Sequence, residues 1–211
     1  MFEVEYKGAN CVVISSKKAS IITDPKLSLV GLKDANVKDA IELATEARFA
    51  VNSDDAKLVL EGPGEYGVAD FDIRGIAAQR HLDSEADPKA STMYRIESGD
   101  IRAAVIGNIY EKLSEEQLEE LGIIDVLIIP VGGSGYTLDA TGAATITRQI
   151  DPKIVVPVHY ADPALNYEVP QSEVDVFLSE LGAPVEEASK LKLKNTSALP
   201  SVLTVYKLNR G

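Results

Sequence analysis

Two histidines, His81 and His159, are the only imidazoles in 211 residues. A metal site in one chain therefore has at most two imidazole ligands, and carboxylates must supply the rest. Asp24, His81 and His159, joined by Asp54 or Asp55, could hold one divalent ion, zinc or manganese. Without a metal, His159 could act alone as a general base, because imidazole titrates near neutral pH. Each residue also has a plainer reading. Asp24 precedes Pro25, a pairing common in turns. Asp54-Asp55 suits a solvated loop, and His81 lies beside Arg80 and near Asp83 in a polar stretch. His159, between Val158 and Tyr160, suits a hydrogen-bonded strand end. Cys11 has no base near it in sequence and reads as a small buried apolar residue.

Gly132-Gly133-Ser134-Gly135-Tyr136 could turn backbone N–H groups toward an anion. It lacks the Gly-Lys-Ser/Thr ending of a P-loop and the spacing of a dinucleotide fingerprint. Its plain reading is a loop that needs positive φ.

These residues need elements to position them. Phe2, Val4 and Tyr6 alternate with polar residues, which predicts a strand, and Cys11–Ile14 and Ser20–Thr23 predict two more. Between Lys33 and Ala50 the spacing is partly helical, with Asp34 or Asn36 as caps and a short strand at Phe49–Val51. Gly62–Gly67, with three glycines and a proline, predicts a tight turn or loop. Phe71–Ile76 is read as a strand, and Thr92–Ile96 and Ile101–Ile106 as a hairpin. Ser114 and Gln117 have capping-box spacing ahead of a helix that ends at Gly122. Val126–Val131 and Lys153–Val158 are near-continuous apolar runs, which suit strands covered on both faces. Helices are expected at Asp139–Ile150 and Gln171–Leu181, the latter capped by Ser172. Two short strands, near Lys190–Leu193 and Val202–Lys207, close the chain. Asp83–Ser91 reads as a polar, acidic loop that could be mobile.

Strands first, then strands alternating with helices, predict one α/β or α+β domain over residues 1–211, with helices outside central sheets. The net charge of −12, from 33 acidic and 21 basic residues, argues against nucleic acid or anionic membrane as partner. Met1–Lys7 lacks the basic and apolar regions of a signal peptide. The longest apolar run, Ile123–Val131, is broken by Asp125 and falls far short of the ~20 residues of a span. With a single cysteine no intrachain disulfide can form, so a cytoplasmic protein is expected.

Four strings resemble the metallo-β-lactamase superfamily, in its small bacterial branch of zinc-dependent hydrolases. They are Gly8–Ile14 followed by Ile22-Thr23-Asp24-Pro25; Gly62-Pro63-Gly64-Glu65-Tyr66; Ile124–Gly133 followed by Tyr136–Asp139; and Pro152–Tyr160. The resemblance implies a four-layer αββα sandwich with a metal site at one edge. That site uses a His-x-His-x-Asp-His cluster, a later histidine, a bridging aspartate and a final histidine. By the same resemblance His159 matches the final histidine, His81 the middle one, and Asp24 lies near the site's edge. Asn108, after Gly107, stands where the bridging aspartate would be, and Gly132, Gly133, Ser134 and Tyr136 line the cleft. The cluster's expected place, Ala50–Asp55, holds no histidine.

These readings favour a non-catalytic or binding descendant of a metal-dependent hydrolase, with no cofactor and an unknown small molecule or protein as ligand. The alternative is an active ester, lactone or phosphodiester hydrolase whose rebuilt site uses His159 and His81, with one divalent metal or none. A homo-oligomer paired through its terminal strands is compatible with either.

Overall fold

Alternation along β1 (Phe2–Gly8) buries Phe2, Val4 and Tyr6 on one face and leaves Glu3, Glu5 and Lys7 half-exposed on the other. In this computed structural model residues 1–82 and 90–211 are described. Positions 83–89 of the expected acidic loop fall outside them, and Ser91 already begins a strand.

A six-stranded sheet runs in the order β13 (Leu191–Leu193), β1, β2 (Cys11–Ser15), β3 (Ser20–Thr23), β4 (Ile41–Leu43), β5 (Leu58–Leu60). The second sheet has eight strands. Its order is β12 (Val185–Ala188), β14 (Thr204–Leu208), β11 (Ile154–Val158), β10 (Val126–Pro130), β9 (Ile101–Val105), β8 (Ser91–Ser98), β7 (Phe71–Ala78), β6 (Gly64–Val68). Strands β3, β4 and β5 pair in parallel, as do β9, β10, β11 and β14, while β6 to β9 form an antiparallel meander.

The sheets pack face to face. Val4, Ile14 and Ile21 of the first meet Ile73, Ile96 and Ile128 of the second in one buried core. The apolar runs of β10 and β11 are buried on both faces, as their continuity requires. Val126 and Ile128 point between the sheets, while Leu127 and Ile129 pack under the helices. Those helices are α1 (Glu115–Leu121), α2 (Ala140–Ile150) and α3 (Val174–Leu181), covering the outer face of the eight-stranded sheet with Leu121, Ala144, Ile146 and Phe177. The fourth layer, over the six-stranded sheet, is the segment 26–40. It packs Leu27, Val37 and Ala40 on Cys11, Val13 and Ile22.

Several elements differ from expectation. No α-helix forms between Lys33 and Ala50: Ile41–Leu43 is a central parallel strand, and Ala47–Phe49 is one 3-10 turn rather than the start of a strand. Burial on both faces overrides the partial helical spacing there. Gly64–Val68 is an edge strand, not a turn, and only Gly62-Pro63 bends. The glycine at position 75 allows that approach, since a Cβ there would stand 2.7 Å from the Gly62 carbonyl oxygen. Three strands, not two, close the chain. The extra one, β12, is a parallel edge of sequence Val-Glu-Glu-Ala with no apolar alternation to betray it. Finally, α3 begins at Val174 with Glu173 at its N-cap, and Ser172 does not cap it; its backbone N–H donates instead to the Gly132 carbonyl. The Ser114–Gln117 capping box forms as expected.

Candidate functional site

Parallel strands from both sheets release their C-terminal ends at one edge of the sandwich, where α/β folds commonly place ligands. Asp24 follows β3, Thr45–Ala50 follows β4, Asn108 follows β9, Tyr136 follows β10 and His159 follows β11. Together with Asn10 from the β1–β2 turn and Tyr167 and Gln171 from the segment before α3, most of these surround a cavity of about 120 Å³. That is room for several waters or one small organic molecule.

His159 is buried, with its backbone in the left-handed region at φ 51° and its N–H bonded to the Ala9 carbonyl. Its ring lies nearly parallel to Tyr136, centroids 5.4 Å apart, and tilts against Tyr167 at 4.8 Å. The Gln171 amide N–H₂ donates to the Val169 carbonyl, which aims its oxygen Oε1 at His159 Nδ1, 3.2 Å away. An amide oxygen only accepts, so Nδ1 carries the proton and Nε2 keeps a bare lone pair. Burial pushes the imidazole down to about 4, against the Gln171 contact, so the ring is neutral at pH 7. The Gly132 backbone crosses here, and a Cβ on it would collide with the His159 carbonyl and Gln171 Oε1.

Asp24, also left-handed at φ 44°, places both carboxylate oxygens on Thr45. Oδ1 accepts from the Thr45 N–H and Oδ2 from its hydroxyl, each at 2.7 Å. Burial raises this carboxyl to about 7 in spite of those bonds. Asn10 Nδ2 donates to Asn108 Oδ1 at 3.0 Å. The other amide atoms, Asn10 Oδ1 and Asn108 Nδ2, are buried without a partner. Gly107 at φ 69° brings Asn108 in so closely that a Cβ there would lie 2.7 Å from Thr45 Cβ.

Arg48 supplies the cavity's guanidinium. Its Nε donates to Glu46 Oε2 at 2.8 Å, and a second nitrogen donates to Oε1 at 3.3 Å. The guanidinium carbon stands 4.6 Å from the centre of the Phe49 ring and 5.4 Å from that of Tyr136. Glu46 is buried between Arg48 and Arg80; burial raises its carboxyl, and the two cations oppose that rise.

Asp24, Tyr136 and His159 therefore meet at the cavity, and Asn108 joins them through Asn10. His81 does not line the cavity with His159. Its Nδ1 faces the Ile109 carbonyl at 3.2 Å, and its backbone N–H bonds the Asn108 carbonyl. Gly132, Gly133 and Ser134 do not line the cavity either, and the N–H groups of Gly133, Tyr136 and Thr137 are used within the loop. The cluster segment expected at Ala50–Asp55 lies elsewhere. Buried Glu42 draws the Val51, Asn52 and Ser53 N–H groups to itself, and Asp54 and Asp55 are exposed. The residues after β4 that reach the site are Arg48 and Phe49 on the cavity and Thr45 beneath Asp24, none of them an imidazole. Among the described residues no three His, Cys, Asp or Glu side chains gather closely enough to hold a metal ion. Asn10, Lys26, Arg48, Tyr167 and Gln171 escaped the sequence reading. Arg48 had no usable signal either, because the strand that delivers it, β4, is too short to show a period.

The sequence profile of the β-lactamase superfamily domain matches residues 3–159. The chain belongs to that family. A UPF0173 protein of Pyrococcus furiosus is 40% identical over 75 residues, which cover 33% of this chain and 34% of the relative. Among solved structures, a candidate Zn-dependent hydrolase of the metallo-β-lactamase superfamily from Thermotoga maritima superposes with a TM-score of 0.78 at 23% identity, covering 99% of each chain. Igni18, a metallo hydrolase of Ignicoccus hospitalis, gives 0.65 at 16%, covering 99% of this chain and 94% of its own. The metallo-β-lactamase fold protein YhfI of Bacillus subtilis gives 0.60 at 10%, covering 100% and 98%. At these identities the superpositions carry the fold, a mixed α+β sandwich of the metallo-β-lactamase type. No helix among the described residues is long and apolar enough to cross a membrane.

Proposed function

We propose that this chain is a metal-independent binding protein on a metallo-hydrolase fold, descended from an enzyme and no longer using its chemistry. The observation that carries this reading is the segment after β4. Where the family's His-x-His-x-Asp-His spacing would run, the chain has Thr45-Glu46-Ala47-Arg48-Phe49-Ala50. Its only carboxylate is held by two arginines, and its guanidinium stands over Tyr136 at the cavity. A fixed cation there opposes a metal dication by charge. Asn108, in place of a bridging aspartate, bonds Asn10 and brings no negative charge.

The residues present therefore do not fit the paired-zinc donor set. A single-ion site from Asp24, His81 and His159 is disfavoured too, because His81 lies off the cavity and Asp24 holds Thr45 with both oxygens. A metal-free hydrolase needs a base and a nucleophile. The neutral His159, pushed to about 4, is a weak base, Asp24 has both oxygens engaged by Thr45, and no serine or cysteine that could serve as a side-chain nucleophile is among the residues lining the cavity.

The test is elemental analysis by plasma mass spectrometry of untagged protein purified without chelator. The expected result is zinc, manganese and iron below ~0.1 equivalent per chain, far under the occupancy of a tight site. About one equivalent, lost in His159→Ala, would overturn the reading.

A further inference from the structure

The cavity holds polar atoms that the fold has buried and left unused. Asn10 is 4% exposed, lines the cavity, and its Oδ1 has no donor. His159 Nε2 is a bare acceptor by the tautomer that Gln171 imposes, and no bond from a described residue engages it. Asn10 Oδ1 is buried and unpaired, and His159 lines the same cavity with its acceptor nitrogen; because an unpaired buried acceptor is costly, the floor calls for a ligand with an N–H or O–H group.

The rim has the opposite character. The Lys26 N–H donates to the Phe49 carbonyl at 3.1 Å, which sets Lys26 beside Arg48. No described residue pairs with the Lys26 ammonium. Arg48 has five N–H donors, uses two on Glu46 and approaches the Tyr136 hydroxyl, which leaves donors to turn toward an anion. Glu46 takes one positive charge, and Glu168 and Asp24 add carboxyls to the lining, so the donors of Arg48 and Lys26 suit at most one negative charge on a ligand and disfavour a dianion. Leu27, Phe49, Tyr136 and Val169 supply apolar wall for a short carbon skeleton.

We propose that this cavity binds a small organic acid with a hydroxyl or amino group beside its carboxylate, the acid held by Arg48 and Lys26 and the donor by Asn10 Oδ1 and His159 Nε2. The proposal rests on the reading that the site takes no metal. It involves recognition only, with no bond made or broken.

Binding is tested by titration calorimetry and ligand-observed NMR on the full chain, with L-lactate, L-alanine, propionate and inorganic phosphate as probes. Lactate or alanine should bind with a Kd below about 1 mM and at least about tenfold more tightly than propionate or phosphate. Lactate alone identifies a hydroxy acid, and alanine alone an amino acid. Lys26→Gln, a change at a half-buried rim position, should weaken that binding by about tenfold or more, the loss of one charge-assisted bond. Asn10→Asp keeps the shape while changing the floor, and should weaken lactate more than propionate. The proposal is overturned if neither acid binds below about 1 mM, if propionate or phosphate binds as tightly, or if Lys26→Gln changes nothing while remaining folded by circular dichroism. Metal content is measured on the same sample. Stoichiometric zinc overturns the underlying reading, whereas no metal and no acid binding overturns the ligand class alone.

Discussion

Asp24 and His159 line one cavity with opposite proton preferences, and their pH signatures should cancel. Burial raises Asp24 from 3.8 to about 7, so the folded state binds a proton that the unfolded state has lost. Its contribution is fully present below pH ~3.8 and is lost as pH rises through about 7. Burial lowers His159 from 6.5 to about 4, so its contribution is present above pH ~6.5 and is lost as pH falls through about 4. Between those limits the slopes oppose, and this pair should add almost no net slope to the stability profile measured by chemical denaturation. Asp24→Asn should leave stability rising from pH 4 to 6.5, and His159→Gln should leave it falling from pH 4 to 7. Each one-sided change should be on the order of a few kcal/mol. Two variants with the same slope would contradict this assignment. At this scale the sequence was only partly readable. Asp24, Asn108, Tyr136 and His159 could be marked only through the family resemblance of the strings around them, whereas Gln171 gains its role only when the segment before α3 folds back onto the loop after β10. His81 stood beside His159 only by the family resemblance, and a matched string carries no distance.

Among the elements, the turns after the strands bear more of the site than the helices do. Gly107 and Gly135 are both left-handed, at φ 69° and 72°, and they separate two costs. Alanine at 135 meets open space and suffers backbone strain alone, about 1 kcal/mol. Alanine at 107 adds a clash with Thr45, whose N–H and hydroxyl hold Asp24. Gly107→Ala should therefore lose at least ~2 kcal/mol more than Gly135→Ala, read as the difference in urea midpoints at equal m. Equal losses would mean that the turn after β9 is free to move away from Thr45. The strands β1 to β3 and β7 to β11 were legible because alternation or unbroken apolar runs reflect burial directly. Strand β4 was not, because three residues are too short to show a period. The edge strand β12 was not either, because its partner β14 decides its pairing and its own side chains are mostly exposed.

For the molecule as a whole, the open border of the six-stranded sheet needs protection, since an unpaired strand invites another. Edge strand β13 carries Lys192 and is preceded by Lys190, and these reach Glu3 and Glu5 on β1 at 2.9–3.8 Å. These pairs are partly exposed and add little stability. Their larger effect is to put ordered charge where a second chain would dock. The double variant Lys190→Ala, Lys192→Ala should change stability by no more than about 1 kcal/mol while raising self-association at micromolar concentration, measured by sedimentation velocity. A variant that sediments like the parent would assign the protection to the overall charge of −12 instead.

Asp24, Thr45, Arg48, Asn108 and His159 all stand in the segments that follow strands, and none of them belongs to the three apolar clusters. Apart from Leu27, which serves both, architecture and recognition thus occupy separate sets of side chains, and each can drift with little disturbance of the other. A lineage could exchange ligand after ligand at that rim while its β-sandwich stayed recognisable to any comparison weighted by length. Kinship read across residues 3–159 therefore traces ancestry of the scaffold, and the trade practised at the rim is recorded in a few letters that such a comparison scarcely weighs.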